Sequence, residues 1–129
     1  MSEGYFHEVY RRFGTEFWVN NPSGSEILLG LEGGAVGIAS NPSYIATLLK
    51  TEPEFVHATI DEVVNQAGRN SNEESLAMEV IRKTVSRPLG MFHDMFKQTD
   101  GRYGHVAIQG SPRKNHDLNA MLEEADIFS

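Results

Sequence analysis

The hydrophobic positions first fall at helical spacing. Over residues 3–13, Tyr5, Phe6, Val9, Tyr10 and Phe13 share one helical face, and Gly14 follows as a natural stop. The period then shortens. "EFWV" (16–19) is brief, rich in aromatics and broken by "NNPS", the pattern of a strand. Ser23 and Glu26 stand at capping-box spacing and predict a helix from about Gly24 to Leu31, closed by "EGG". "AVGIA" (35–39) is apolar at every position, as a strand buried on both faces would be. Asn41 then offers a cap and Pro42 a first helical residue for a helix through "SYIATLL".

Further on, Thr51 and Glu54 repeat the capping-box spacing, and Phe55, Val56, Ile60, Val63, Val64 and Ala67 form a helical stripe that stops at Gly68. "RNSN" reads as a turn. Ser71 with Glu74 opens the next helix, with Leu76, Val80, Ile81 and Val85 on one side. Pro88 has no amide hydrogen and predicts a kink or a break. Met91, Phe92, Met95 and Phe96 then resume the apolar face as core residues. "TDGRYG" is a loop and "HVAIQG" (105–110) a third strand. A last helix from about Asn115 carries Leu118, Met121, Leu122 and Ala125. Its acidic run, Glu123-Glu124-Ala125-Asp126, reads as a solvated face.

The repeating unit is strand, polar turn, helix, with no linker composition, so one α/β domain over 1–129 is expected. Strands separated by helices imply parallel pairing with right-handed crossovers and helices outside the sheet. Three such strands fit a small open sheet. They also fit the first three staves of a (β/α)8 barrel, which takes ~250 residues when complete. Periodicity leaves both open. The edge after the third strand would be unpaired, so self-association or low stability is expected.

Composition narrows the function classes. The chain has 129 residues, 40% hydrophobic and 22% charged, within the range of soluble globular proteins. Clusters such as "EILLGL" fall far short of the ~20 apolar residues of a membrane span. "MSEGYFHEVYRRFG" lacks a signal-peptide core, so secretion is not expected. Cysteine is absent, which excludes disulfides, thiolate catalysis and cysteine-ligated zinc and suits a reducing cytoplasm. The net charge of −7, with basic residues in small groups such as Arg113-Lys114 and no basic stripe, argues against nucleic-acid binding. The five histidines show no paired ligand spacing, and no glycine-rich phosphate loop is present, so neither metal nor cofactor is expected.

The candidate chemistry lies at the strand ends. Each strand runs into an amide-bearing turn: Asn20-Asn21-Pro22, Ser40-Asn41-Pro42 and Gln109-Gly110-Ser111-Pro112. In parallel α/β folds the carboxyl ends of the strands converge on one rim, where sites lie. Each asparagine alone reads as a helix cap or turn residue. Gln109 does not, because glutamine is no turn former. Alternation sets it on the strand face of His105 and Ala107, pointing inward, where a long amide needs a hydrogen-bond partner.

These same residues carry a resemblance. "GTEFWVNNPS", "VGIASNPSYIATLL" and "DGRYGHVAIQGSPRKNHDLNAMLEEADIF" resemble, in order and spacing, the first three strand motifs of the transaldolases. The resemblance covers nearly the whole chain. It implies the N-terminal portion, about three βα units, of a (β/α)8 barrel. It also implies class I aldolase chemistry on sugar phosphates, in which a fourth-strand lysine forms a Schiff base and a dihydroxyacetone unit is transferred in the pentose phosphate pathway. By this resemblance Asn41 matches the asparagine that holds substrate hydroxyls, and Ser40 stands where a threonine is common. Asn20 and Gln109 stand where the family has its proton-transferring aspartate and glutamate. Both acids are amides here, and an amide cannot exchange a proton near neutral pH. The matching lysine would come beyond Ser129, and Lys50, Lys83, Lys97 and Lys114 all read as helix or turn residues. The chain alone is therefore expected to be inactive. A stand-alone, non-enzymatic α/β domain binding a sugar phosphate or a partner protein is the alternative, and two copies completing a sheet a third reading.

Overall fold

The structure, a computed structural model, describes residues 4–68 and 71–129. The elements run α1 (Tyr5–Phe13), β1 (Phe17–Asn20), α2 (Gly24–Gly33), β2 (Ala35–Ala39), α3 (Tyr44–Thr51), α4 (Pro53–Ala67), α5 (Glu73–Gln98), β3 (His105–Ala107), a short 3-10 turn (Pro112–Lys114) and α6 (Leu118–Phe128). The three strands form one parallel sheet in the order β1-β2-β3, so the α/β class and the parallel pairing agree with the strand–helix alternation.

Helices α2, α3, α4 and α5 pack on one side of that sheet. Phe17, Val19 and Val106 meet a core of Ile27, Ala35, Ile38 and Phe92. Val106 and Ile108 also meet a second core of Tyr44, Leu48, Val56 and Val85. The alternate strand positions form the other face, where Trp18, Asn20, His105 and Ala107 are exposed. Two rows cross this open face by register: Trp18–Gly37–His105, then Asn20–Ala39–Ala107. Trp18 lies against Gly37, where a Cβ would come within 2.8 Å of the indole ring. That is why β2 is closed on both sides at Gly37 and only half-buried at Ala39.

Several local expectations need correction. Helix α3 starts at Tyr44, two residues after Pro42, because Asn41 folds into a turn whose carbonyl accepts the Tyr44 N–H at 2.9 Å. Thr51 closes α3 by donating to the Thr47 carbonyl, and Pro53 starts α4, so no capping box forms there. Ser71 turns back to the Ala67 carbonyl, and Asn72 caps α5 by accepting the Ser75 N–H at 2.8 Å. Of the turn read at "RNSN", residues 69 and 70 lie outside the described residues. Helix α5 runs 26 residues straight through Pro88. The proline is fully buried, and packing there outweighs the ~3 kcal/mol that an internal proline costs a helix. Val64, on the apolar stripe of α4, and Phe96, expected in the core, are exposed.

Strand β3 is three residues rather than six. Ser40 donates both its N–H (3.0 Å) and its hydroxyl (2.8 Å) to the Ala107 carbonyl, and β2 turns away at that point, which ends the ladder. Helix α6 begins at Leu118, capped by Asp117, rather than near Asn115. Its facing is inverted. Leu118, Met121, Leu122 and Ile127 are exposed, while Glu124, placed by sequence in a solvated acidic run, is 5% exposed.

Candidate functional site

Because the strands are parallel, Asn20, Ser40, Asn41 and Gln109 all lie at the carboxyl end of the sheet. They are held in different ways. Asn20 ends β1 on the open face, in register with Ala39, whose other neighbour is Ala107. Two small side chains beside it leave its amide exposed.

Asn21 makes contacts across the rim that the sequence did not reveal. Its φ of 48° is left-handed, a conformation that asparagine tolerates better than most residues. This turns its side chain toward the β2–α3 turn. Its Oδ1 accepts the Asn41 N–H at 3.0 Å, and its Nδ2 donates to Asn41 Oδ1 at 3.0 Å and to Ser43 Oγ at 3.2 Å. Asn41 Oδ1 also accepts the Ser43 N–H at 3.0 Å and the Ser43 hydroxyl at 2.6 Å. The carbonyl end of the Asn41 side chain is therefore committed to the fold, while its Nδ2 makes no hydrogen bond among the described residues. Ser40 is buried, with its hydroxyl donated to Ala107.

Gln109 lies two residues beyond β3, exposed, and its side chain has no hydrogen-bond partner among the described residues. Exposure to solvent removes the need for the internal partner that an inward amide would have required. Gln109 lines a groove of about 710 Å³ with Pro42, Gly110, Ser111 and Glu124.

Sequence reasoning missed Glu124. Its Oε2 accepts the Ser111 N–H at 2.9 Å, and its Oε1, buried without a hydrogen bond, faces Lys114 Nζ at 3.6 Å. Lys114 also lies 3.9 Å from Glu74. One signal was available: Gly110 is the residue against which the carboxylate packs, since a Cβ there would sit 2.5 Å from Oε2.

A second carboxylate serves the β1–α2 turn. Glu52 accepts the Gly24 N–H at 2.5 Å and pairs with Arg87 at 2.5 Å, while Arg87 stacks 4.0 Å over Phe55. Burial alone would raise the Glu52 pKa, but the Gly24 hydrogen bond and the Arg87 charge outweigh it and hold the carboxyl below its ordinary value. Tyr44, whose hydroxyl donates to the Pro22 carbonyl, is pushed above the ordinary tyrosine range by burial.

The four lysines sit on α3 (Lys50), α5 (Lys83, Lys97) and the 3-10 turn (Lys114), not on a strand. Among the described residues no three histidine, aspartate or glutamate side chains stand close enough to hold a metal ion. Nor is any helix of the described residues long and apolar enough to cross a membrane.

No protein-family model matches the chain. Over 120 residues it is 26% identical to a transaldolase of Thiobacillus denitrificans. That match takes in 88% of this chain and 32% of the relative, so the chain spans about a third of the length of the curated protein it matches and is similar to it at the level of a distant relationship.

Proposed function

We propose that the chain is a transaldolase-related unit, corresponding to the early βα units of a (β/α) barrel. Its carboxyl rim holds the hydroxyls of a sugar phosphate, and its own residues do not carry out Schiff-base chemistry. One observation supports this most. The rim amides at Asn20 and Gln109 and the amide nitrogen of Asn41 have no protein partner among the described residues, whereas Asn21 and Ser40 beside them are fully engaged. Unpaired amides beside alanines suit the alternating donors and acceptors of a polyol. The similarity to a transaldolase supplies the ligand class. A cysteine-free chain suits the cytoplasmic setting of sugar-phosphate metabolism.

The lack of catalysis follows from the residues. Schiff-base formation needs an amine that is partly deprotonated beside the carbonyl, in a site shielded from water. Lys50 and Lys97 are exposed on helices, Lys83 pairs with Glu62, and Lys114 lies between two glutamates. Neither rim amide can act as a general acid or base, a role worth ~10²–10⁴-fold in rate. Borohydride treatment with fructose 6-phosphate is expected to leave no covalent adduct, while saturation-transfer NMR detects fructose 6-phosphate bound reversibly. Asn20→Asp with Gln109→Glu is not expected to create turnover, because the amine is still missing. An adduct on one lysine, seen by mass spectrometry, would overturn the proposal, as would the absence of sugar-phosphate binding.

A further inference from the structure

We propose that Tyr10 and Tyr103 form an oxidative modification site, at which hydrogen peroxide, acting through a haem peroxidase, joins the two rings into a dityrosine link between α1 and the α5–β3 loop. The two residues stand 93 positions apart in the chain, yet their hydroxyls meet at 2.6 Å. The rings lie edge to face, with centroids 6.3 Å apart and planes at 87°. Each is held from its own side. Tyr10 lies in the last turn of α1, where its carbonyl accepts the Gly14 N–H at 2.7 Å. The Tyr103 N–H donates to the Thr99 hydroxyl oxygen at 2.9 Å, and the Arg102 guanidinium lies 5.2 Å from the centre of the Tyr103 ring. Two reacting groups that the fold holds together couple in an effectively unimolecular step, which favours this pair over freely moving tyrosines.

Accessibility and contact select this pair among the four tyrosines. Tyr44 is 2% exposed and donates its hydroxyl to the Pro22 carbonyl, out of an oxidant's reach. Tyr5 is 74% exposed, but its ring packs on Phe6. Tyr10 is 37% exposed and Tyr103 half-buried, so both are open to solvent while they face each other. The absence of cysteine removes the side chain that most readily reacts with peroxide. In the reaction each phenol gives up one electron and one proton. The two phenoxyl radicals join through their ortho carbons, and the hydrogens on those carbons move to the oxygens and restore both phenols. Hydrogen peroxide takes up the two electrons and two protons and leaves as two waters. The hydroxyls of an ortho-linked biphenol flank the new bond within hydrogen-bond reach of each other, which is the relation they already have here. Helix α1 is the element such a link fastens, since none of its residues is fully buried. Closing so long a loop removes freedom from the unfolded chain as a disulfide would, in a chain with no cysteine to form one.

Dilute protein treated with a haem peroxidase and hydrogen peroxide is expected to gain dityrosine fluorescence while running as a single chain on a denaturing gel. Tandem mass spectrometry should find the peptides holding Tyr10 and Tyr103 joined, with a mass lower than their sum by two hydrogen atoms. Tyr10→Phe and Tyr103→Phe should each lose this product, and Tyr5→Phe should keep it. The chain unfolded in urea should give at least about tenfold less of it, because the fold no longer holds the rings together. The linked protein should unfold about 5 °C or more above the unlinked one. An equal yield from the unfolded chain would overturn the proposal. So would a link that survives Tyr103→Phe, oxidation that joins only separate chains or no tyrosines at all, or a linked protein with an unchanged midpoint. None of these readouts depends on sugar binding.

Discussion

Glu52, in the joint between α3 and α4, and Glu124, on α6, each reach a strand-end turn and take one backbone N–H there. Glu52 receives Gly24 and closes its second oxygen on Arg87 at 2.5 Å. Glu124 receives Ser111 and leaves its second oxygen without a hydrogen bond, 3.6 Å from Lys114. The planar guanidinium of Arg87 rests on Phe55 and so arrives fixed in direction. Lys114 is shared with Glu74. At the β1–β2 end of the rim both Glu52 oxygens are thus closed by contacts that tie helices α2, α4 and α5, although Arg87 Nε and Nη2 are buried without hydrogen-bond partners among the described residues. At the β3 end Glu124 contributes one hydrogen bond, from Ser111, and a groove opens beside it. Proteins keep ligand-facing segments at the less stable end of the molecule, which is where the unengaged Gln109 lies.

This contrast is most easily broken at Glu52. Glu52→Ala removes one partner of an ion pair only about a quarter exposed and strips the cap from Gly24, and is expected to cost about 3 kcal/mol in urea unfolding. Glu124→Ala should cost about 1 kcal/mol, because the removed carboxylate was itself only half satisfied. Equal losses would mean that the two ends are equally closed.

The same difference should appear with pH. Glu52 has a folded pKa below its ordinary value, so its contribution is present above the ordinary glutamate range and lost as pH falls through the lower folded value. The acid limb of the stability curve should shrink in Glu52→Gln. Tyr44 has a folded pKa above the ordinary one, so its contribution holds up to the unfolded value near 10 and is lost as pH rises beyond it. Tyr44→Phe should flatten that alkaline limb, at a small cost for the Pro22 carbonyl left unpaired. Unfolding midpoints measured at acid, neutral and alkaline pH test both.

A third variant asks whether the closed end depends on one residue in a left-handed turn. Asn21→Ala loses the bonds to Asn41 and Ser43 and puts an alanine at a φ of 48°, for an expected cost of about 2 kcal/mol. Asn21→Gly keeps the loss of bonds but relieves the backbone, and should recover about 1 kcal/mol of it. If the two variants unfold alike, the conformation is not what the asparagine is there for.

What could be read from sequence follows the same division. The parallel sheet was legible because strand and helix periods alternate cleanly, and α1, α2 and β2 were legible because glycines and a true capping box mark their ends. Pro88 misled because a local rule met a buried position, where packing decides. Asn41 was found, but the residue that holds it was not. Asn20 and Asn21 are identical as letters, and only the left-handed turn decides which of them points at Asn41. Glu124 was missed because an acidic run suggests solvent, and its burial depends on a glycine and a backbone N–H from a distant turn.

The smallest expected effect on stability is at Gln109, and that makes it the sharpest test of the open end. Its side chain is exposed and bonds to nothing among the described residues, so Gln109→Ala should shift the unfolding free energy by less than about 0.5 kcal/mol. Asn41→Ala, by contrast, leaves Asn21 and Ser43 without their shared acceptor and should be felt in unfolding at about 1 kcal/mol or more. Binding should order them differently. If Gln109 meets ligand hydroxyls, its truncation removes one or two hydrogen bonds to a neutral partner, about 1 kcal/mol each, or roughly a fivefold weaker Kd for fructose 6-phosphate per bond. Gln109→Glu preserves the shape and the acceptor and loses the donor, so it should fall between wild type and alanine. Near-native stability with weakened sugar-phosphate binding would assign Gln109 to a ligand. Near-native stability with unchanged binding would leave the residue a solvated side chain at the mouth of a groove, and the sugar-binding reading of that end would fall with it.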